Sequence, residues 1–323
     1  MEYIGEIISL GVAFSWTIAA LSSEVASRRM GVFVMNVWRM SLTLVLSLLL
    51  CRLTMGSALP AYAGADAWLW LLASGVVGYF FGDYCLFNSY LTIGSRYGQL
   101  FMTMAPMFAA FSAWVMIGQT LSWKSLLAMA VTLAGIALSI LSKGEGKKVT
   151  IQLPAKGILF GIGAGLGQGV GLVLSKIGLD HYTRDVPASV LPAVEGYLPF
   201  SSNLIRCIAG LVCFGTWYLV SQRVAARRRH PGAEPPKTIR ASLHSRQGLI
   251  AMVIAVFSGP FIGVGFSLMA VQYTAAGIAS TIMAITPIII LLPSRYMFHQ
   301  PITLKGVVGA VISVVGVSLF FLL

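Results

Sequence analysis

Acid is what this chain has least of. Its 323 residues include 10 Asp and Glu against 22 Lys and Arg, and charged residues of both signs make up only 10%. A soluble domain carries about 25% charged residues, so this surface is not built for water, and the mean hydropathy of +0.86 agrees. Cysteine and histidine are also scarce, four of each. Cys51, Cys85, Cys207 and Cys213 fall in or at the ends of apolar runs, and His181, His230, His244 and His299 stand in loops without ligand spacing. Core packing explains the former, and neither set gives a disulfide framework or a metal site. There is no G-x-G-x-x-G and no glycine loop followed by Lys-Ser/Thr, so no nucleotide cradle and no cofactor is expected. A lipid-modifying membrane enzyme would need His, Asp or Glu clustered at one face, and too little chain remains outside the apolar runs for a separate catalytic domain. No catalytic residue is therefore expected.

What is present is apolar length. Hydrophobic residues reach 57%. Ten runs of about 20 apolar residues, the length that crosses a bilayer as helix, fall at 4–23, 32–51, 67–90, 98–118, 124–142, 157–177, 202–222, 248–271, 277–296 and 304–322. They are apolar all round rather than alternating, which excludes barrel strands. The expected fold is all-α: a multi-pass protein of ten transmembrane helices in the lipid bilayer of a cell membrane, a bacterial inner membrane being the expected one. The first run follows Glu2 with no basic segment before it and reads as retained rather than as a signal peptide. The formal charge of +12 invites a nucleic-acid partner, but placement argues against one. Loops after odd-numbered runs hold sixteen of the 22 Lys and Arg, the opposite face holds four, and Arg39 and Arg206 lie within runs. This is the positive-inside asymmetry, with Arg227–Arg229 as a topology anchor, and it places both termini outside the cytoplasm.

The apolar pattern is written twice. Residues 78–141 align with 259–322 at a constant offset of 181 without a gap, matching Gly78 to Gly259, Gly82 to Gly263, Pro106 to Pro287, Gln119 to Gln300, Lys124 to Lys305 and Gly135 to Gly316. Asn-x-x-Arg also recurs, at Asn36/Arg39 and Asn203/Arg206. Five runs per half is an odd number, so the second copy inserts upside down, giving two inverted five-helix repeats. The repeats are expected at 1–142 and 157–323, joined by a basic linker at 143–156. Only the second half carries the insertions at 180–200 and 223–247. The alternate glycines from Gly161 to Gly171 suit close helix packing, or the wall of a cavity. The last run of each half, around Gly135 and Gly316, has no central polar group. It reads as an interface, either between the halves or between the subunits of a homodimer.

Gly82-Asp83-Tyr84, Ile93-Gly94, Pro106 and Gly118-Gln119-Thr120-Leu121-Ser122 together resemble the EamA-type branch of the drug/metabolite transporter superfamily. Its repeats run from an Arg in the second helix, through a small-residue third helix and a Pro in the fourth, to a Gly-Glu-x-Leu-Ser junction. Arg39 and Pro106 match in the first repeat, and Arg206, Pro287 and His299–Thr303 in the second. Two departures stand out: the junction's acid is Gln119 in one copy and Gln300 in the other, and family members often keep both termini cytoplasmic. The resemblance implies a non-enzymatic transporter of small metabolites, often an exporter.

Charges inside a membrane need a partner or a wet cavity. Arg39 and Asp83 each lie about seven residues from the same face, which at 1.5 Å per residue puts both roughly 10 Å deep. They can pair as a static bolt, or Asp83 can take a proton or a substrate ammonium and release Arg39. Desolvation favours the neutral acid and Arg39 the ionised one. Arg206 has no such acid, because Val264 stands at the offset position; Glu6 is the candidate partner, and a cargo carboxylate or phosphate the alternative. Asn36 and Asn203 lie one helical turn before each Arg, to support it or to touch cargo. Gln99, Gln168, Trp16, Tyr84 and Asn88 complete the candidates for the substrate or ion path. The sequence thus points to a secondary carrier of a small, amino-acid-like metabolite, alternating access around a central site, with protons as the candidate coupling ion. An exporter of amphipathic drugs and a non-transporting membrane scaffold are the alternatives.

Overall fold

In lipid, every backbone N–H and C=O has to bond within its own segment, so an unbroken apolar run has one solution, the helix. The computed structural model describes residues 3–120, 122–143, 149–151, 153–227, 237–274, 276–300 and 302–322. Its first half runs α1 (Ile4–Met30), α2 (Val32–Met55), α3 (Ala65–Ser74), a π-helix (Gly75–Gly82), α4 (Asp83–Met102), α5 (Ala105–Ile117) and α6 (Trp123–Ile140). A short antiparallel ladder follows, β1 (Leu141–Lys143) with β2 (Val149–Ile151), in register Ser142 to Thr150. The second half runs α7 (Ala155–Asp185), α8 (Leu191–Val194), α9 (Leu198–Arg227), α10 (Ile239–Ser242), α11 (Arg246–Val256), a second π-helix (Phe257–Gly263), α12 (Val264–Tyr273), α13 (Ala276–Met283), α14 (Thr286–Ile289), α15 (Leu291–Phe298) and α16 (Leu304–Leu322). Among the described residues eight helical stretches, not ten, are long and apolar enough to cross a bilayer, and Ala105–Ile117 and Leu304–Leu319 are shorter apolar helices. Gly144, Gly146, Lys147, Lys148, Arg228, Arg229 and His230 lie outside the described residues.

The irregularities of the first half return in the second at the same offset of 181. The π-helices at Gly75–Gly82 and Phe257–Gly263 correspond to within one residue. The fourth apolar run breaks between α4 and α5 at Thr103-Met104, and the ninth breaks between α13 and α14 at Ala284-Ile285. Both breaks precede a proline, Pro106 or Pro287, in the first turn of the resuming helix, where a missing N–H costs nothing. Gly118 and His299, again 181 apart, end their helices in the left-handed region at φ +66° and +53°. Within α4 the chain reverses at Gly94, φ +84°, where the Gln300 side chain fills the space that a Cβ would occupy.

Packing crosses the halves. Helix α7 lies on α3, the first π-helix, α4 and α5, while α1 lies on α11, the second π-helix, α12 and α13. A Cβ on Gly5 would meet Thr274 at 2.6 Å, and one on Gly157 would meet the Ile93 side chain. These two contacts interchange if α1 is offset from α7 by 152 residues and the remainder by 181. Between α6 and α16 the pairs Thr132–Gly316 and Gly135–Ser313 interchange in the same way. The glycine stripe of the two last helices is therefore filled within one chain, from the opposite half. The alternate glycines of α7 are contact points as well: a Cβ on Gly167 would stand 2.5 Å from the Gly82 Cα, and one on Gly171 2.7 Å from the Gly78 Cα. The insertion at 180–200 is tied to the bundle. Tyr182, Val186, Val194 and Leu198 bury against Ala67 and Leu71 of α3.

Candidate functional site

The first π-helix decides which side chains meet. A π-turn rotates the residues beyond it relative to an α-helix, and such turns gather at functional sites. Here it carries Tyr79 and is followed directly by Asp83, the first residue of α4, which is 3% exposed. The Arg39 guanidinium donates from an Nη to Asp83 Oδ2, and its Nε donates to Asn36 Oδ1 at 3.2 Å. Gln168, from the glycine face of α7, donates to Asp83 Oδ1 at 2.9 Å and to the Gly78 carbonyl at 3.3 Å. Both carboxylate oxygens of Asp83 are thus occupied, by groups from two different helices. Asn36 also donates to the Val32 carbonyl at 2.9 Å, so both ends of its amide are engaged within α2. Rings complete the shell: the Arg39 Cζ stands 4.9 Å from the Phe87 centroid and 6.0 Å from that of Tyr79.

Arg206 corrects two expectations. Glu6 does not reach it; its carboxylate accepts from Thr274 Oγ1 at 2.8 Å, at the far end of α1. Instead α9 packs on the first π-helix, bringing the Arg206 Cζ to 4.6 Å from the Tyr79 centroid, within electrostatic reach of Asp83. Asn203 does not support Arg206 either. Its Oδ1 accepts the Tyr79 hydroxyl. The two Asn-x-x-Arg turns therefore converge on a single tyrosine and a single acid.

The other candidates lie elsewhere. Tyr84 stacks on Phe33 at 5.4 Å and meets Phe160 edge-on at 5.9 Å, and Asn88 donates to the Tyr84 carbonyl at 2.7 Å. Tyr84 thus joins α4 to α2 and α7, and Asn88 bonds within α4. Gln99 and Trp16 line a cavity of 310 Å³ at the two helix breaks. Its walls pair at the repeat offset: Gln99 with Ser280, Met102 with Met283, Thr103 with Ala284, Ala105 with Thr286, and Pro106 with Pro287. The cavity therefore straddles the pseudo-twofold axis between the repeats, where broken helices expose backbone ends. Gln99 donates to the Tyr90 hydroxyl at 2.7 Å, and Tyr90 packs edge-on against Phe87 beside Arg39. One layer of side chains thus separates the cavity from the charged cluster.

Sequence reasoning missed Glu24. It is 0% exposed and accepts from the Ser95 N–H, just past the Gly94 reversal, at 2.6 Å and from Arg28 at 2.6 and 3.0 Å. The Glu24/Arg28 spacing of four residues was the available signal. This carboxylate ties α1 to the start of the second segment of α4, and Lys237 ties in α10's approach by donating to the Arg28 carbonyl at 2.8 Å. Replacing Glu24 by alanine should cost about 1–3 kcal/mol, because it strands a buried N–H. Hydrogen exchange at the Ser95 amide should quicken in that variant, whereas Arg28→Ala, with 46% of its side chain exposed, should change little.

A doubled helical bundle of apolar segments, with a cavity on its internal axis and a buried ion pair beside it, defines a multi-pass membrane protein of the inverted-repeat class. The profile of the EamA-like transporter family matches residues 3–141 and 155–322. The chain belongs to that family, which is part of the drug/metabolite transporter superfamily. It is a membrane transporter of that type, in a family that is not enzymatic. No curated protein matches the chain at a significant level. Among 14 matching chains of solved structures, one crystal structure overlays all of this chain on 98% of its own at a TM-score of 0.56 and 12% identity, a likeness of fold alone.

Proposed function

We propose that the protein is a secondary carrier of a small, amino-acid-like metabolite, working as an exporter by alternating access around a central site between its two repeats. The observation that carries this reading is the cavity that straddles the internal axis at the two helix breaks. Its 310 Å³ lies at the low end of the roughly 300–1,000 Å³ typical of drug-sized ligands, which favours a small metabolite over a bulky amphipathic drug. Its polar groups are few and uncharged (Gln99, Thr103, Ser280 and Thr286), so broken-helix ends would have to meet the charges of a zwitterion. No ATP motif is present, so the drive comes from an ion gradient or from the cargo's own. Asp83, which would give up Arg39 on taking a proton, is the coupling candidate. Basic loops on the cytoplasmic side put both termini outside, in a bacterial inner membrane.

The test is uptake of a labelled metabolite mixture into proteoliposomes, with and without a pH gradient. Wild type should concentrate at least one small metabolite, and a gradient should alter its rate. Ala284→Trp, which fills the cavity, should lower that flux by about tenfold or more while leaving a monodisperse protein. Flux equal to that of empty liposomes would leave only a scaffold, and unchanged flux in Ala284→Trp would move the path elsewhere.

A further inference from the structure

The charged cluster does not balance. Arg39, Arg206 and Asp83 bring two cations and one anion to the surroundings of Tyr79, and Asp83 is already bonded by Arg39 and Gln168. Among the described residues Arg206 makes no ion pair, and its buried Nε has no hydrogen-bond partner. The chain's other described acids are engaged or distant: Glu6 holds Thr274, Glu24 holds Ser95 and Arg28, Asp185 accepts from the Gly64 N–H, and Asp66, Asp180 and Glu195 stand near helix ends. Where repeat symmetry calls for a second acid, at 264, the sequence has Val264. An uncompensated guanidinium inside a membrane is costly enough to need a counter-charge.

From this imbalance we propose that Arg206 is the binding group for a small monocarboxylate, held side-on by its Nε and an Nη above the Tyr79 ring. A guanidinium edge offers two parallel N–H donors at the spacing of a carboxylate's two oxygens, a match that a single-centred halide does not make. Tyr79 supplies a π-face to the other side of the cation and keeps it in place, with its own hydroxyl committed to Asn203. The Arg206 Nε is sealed from solvent in this conformation, so the anion enters as the carrier opens, while Asp83 and Arg39 stay closed off by each other. The inference rests on the carrier reading, which provides the route by which an anion arrives, and adds a second station for a carboxylate one side-chain layer from the cavity. It is testable at equilibrium without any transport.

The experiment is a thermal-stability titration of the purified full-length protein in detergent with sodium butyrate, butyramide and sodium chloride. Butyrate should stabilise saturably, and butyramide, of the same shape without the charge, should not. Arg206→Gln should weaken the apparent butyrate affinity by roughly tenfold or more. Arg206→Lys, which keeps the charge and loses the fork, should fall between and serves if the glutamine variant does not fold. Equal butyrate response in wild type and both variants, or equal response to butyramide, overturns the proposal. Chloride acting as well as butyrate overturns the carboxylate assignment. Because binding is read without flux, a protein that binds butyrate but carries nothing would sink the carrier reading and leave this site standing.

Discussion

Replacing Asp83 by alanine should cost the fold about 3–5 kcal/mol, the penalty for breaking a buried ion pair from one side. The loss should appear as a lowered thermal midpoint in detergent and a reduced yield of monodisperse protein. The reason is charge arithmetic at one place. With the carboxylate gone, Arg39 and Arg206 become two unscreened guanidinia around the Tyr79 ring, and the Gln168 amide loses its 2.9 Å acceptor. Asp83→Asn separates shape from charge: its amide oxygen can still accept from Arg39, so it should lose less stability than the alanine variant. If Asp83 carries the coupling proton, the asparagine variant should also lose the effect of a pH gradient on uptake. The double variant Asp83→Asn/Arg39→Gln removes both charges and should recover part of the stability lost by the single alanine change. Equal stability of Asp83→Ala and wild type would mean that the carboxylate is not ionised against Arg39, and the charge balance behind the Arg206 site would have to be redrawn.

How much of this was legible in the sequence depends on whether the signal was periodic or local. Apolar length and the offset of 181 gave the helices, the inversion and the pairing of Pro106 with Pro287, because each is a property of the chain read linearly. Equal depth put Arg39 and Asp83 within reach of each other, and depth is simply a residue count times the helical rise. Rotation about the helix axis was not legible. The π-helix at Gly75–Gly82 changes it by adding a residue per turn, and it places Tyr79 between the two arginines, which no 3.6-residue wheel reveals. The same blindness sent Arg206 to Glu6: the two share a face by depth, yet α9 packs on the first π-helix and not on α1 at that level. The repeat of α1 in α7 was hidden as well, since loops of different length shift its offset from 181 to 152. That shift sets Trp16 against Gln168, residues of no chemical likeness, and only their shared packing on Gly263 and Gly82 shows the equivalence. Glu24's pairing with Arg28 shows as a spacing of four, but its bond to the Ser95 backbone N–H leaves no mark in side-chain patterns.

The second large effect lies away from every charge. Gly135→Leu should destabilise the protein by more than the ~1–3 kcal/mol of ordinary overpacking, since the atoms in the way are backbone and cannot rotate aside. A Cβ there would stand 2.6 Å from the Gly309 carbonyl oxygen and would also crowd the Ser313 backbone nitrogen. The neighbouring bonds, Ser139 Oγ to the Gly306 carbonyl at 3.1 Å and Ser313 Oγ to the Thr132 carbonyl at 3.4 Å, hold α6 and α16 at a separation that only small residues permit. In lipid this contact has no hydrophobic drive to replace it, so losing close approach loses the dispersion and polar contacts that make the two helices associate. Gly316→Leu meets Thr132 in the interchanged contact and should fall by a similar amount if the internal twofold is real. Gly215→Leu is the control, because nothing lies within 4 Å of a Cβ there, and a mid-helix leucine is favoured over glycine by helix propensity. Thermal unfolding of the three variants side by side decides the matter. Should Gly135→Leu and Gly316→Leu match Gly215→Leu, α6 and α16 do not cross at their glycines, and the repeats must be joined through α1, α7 and α9.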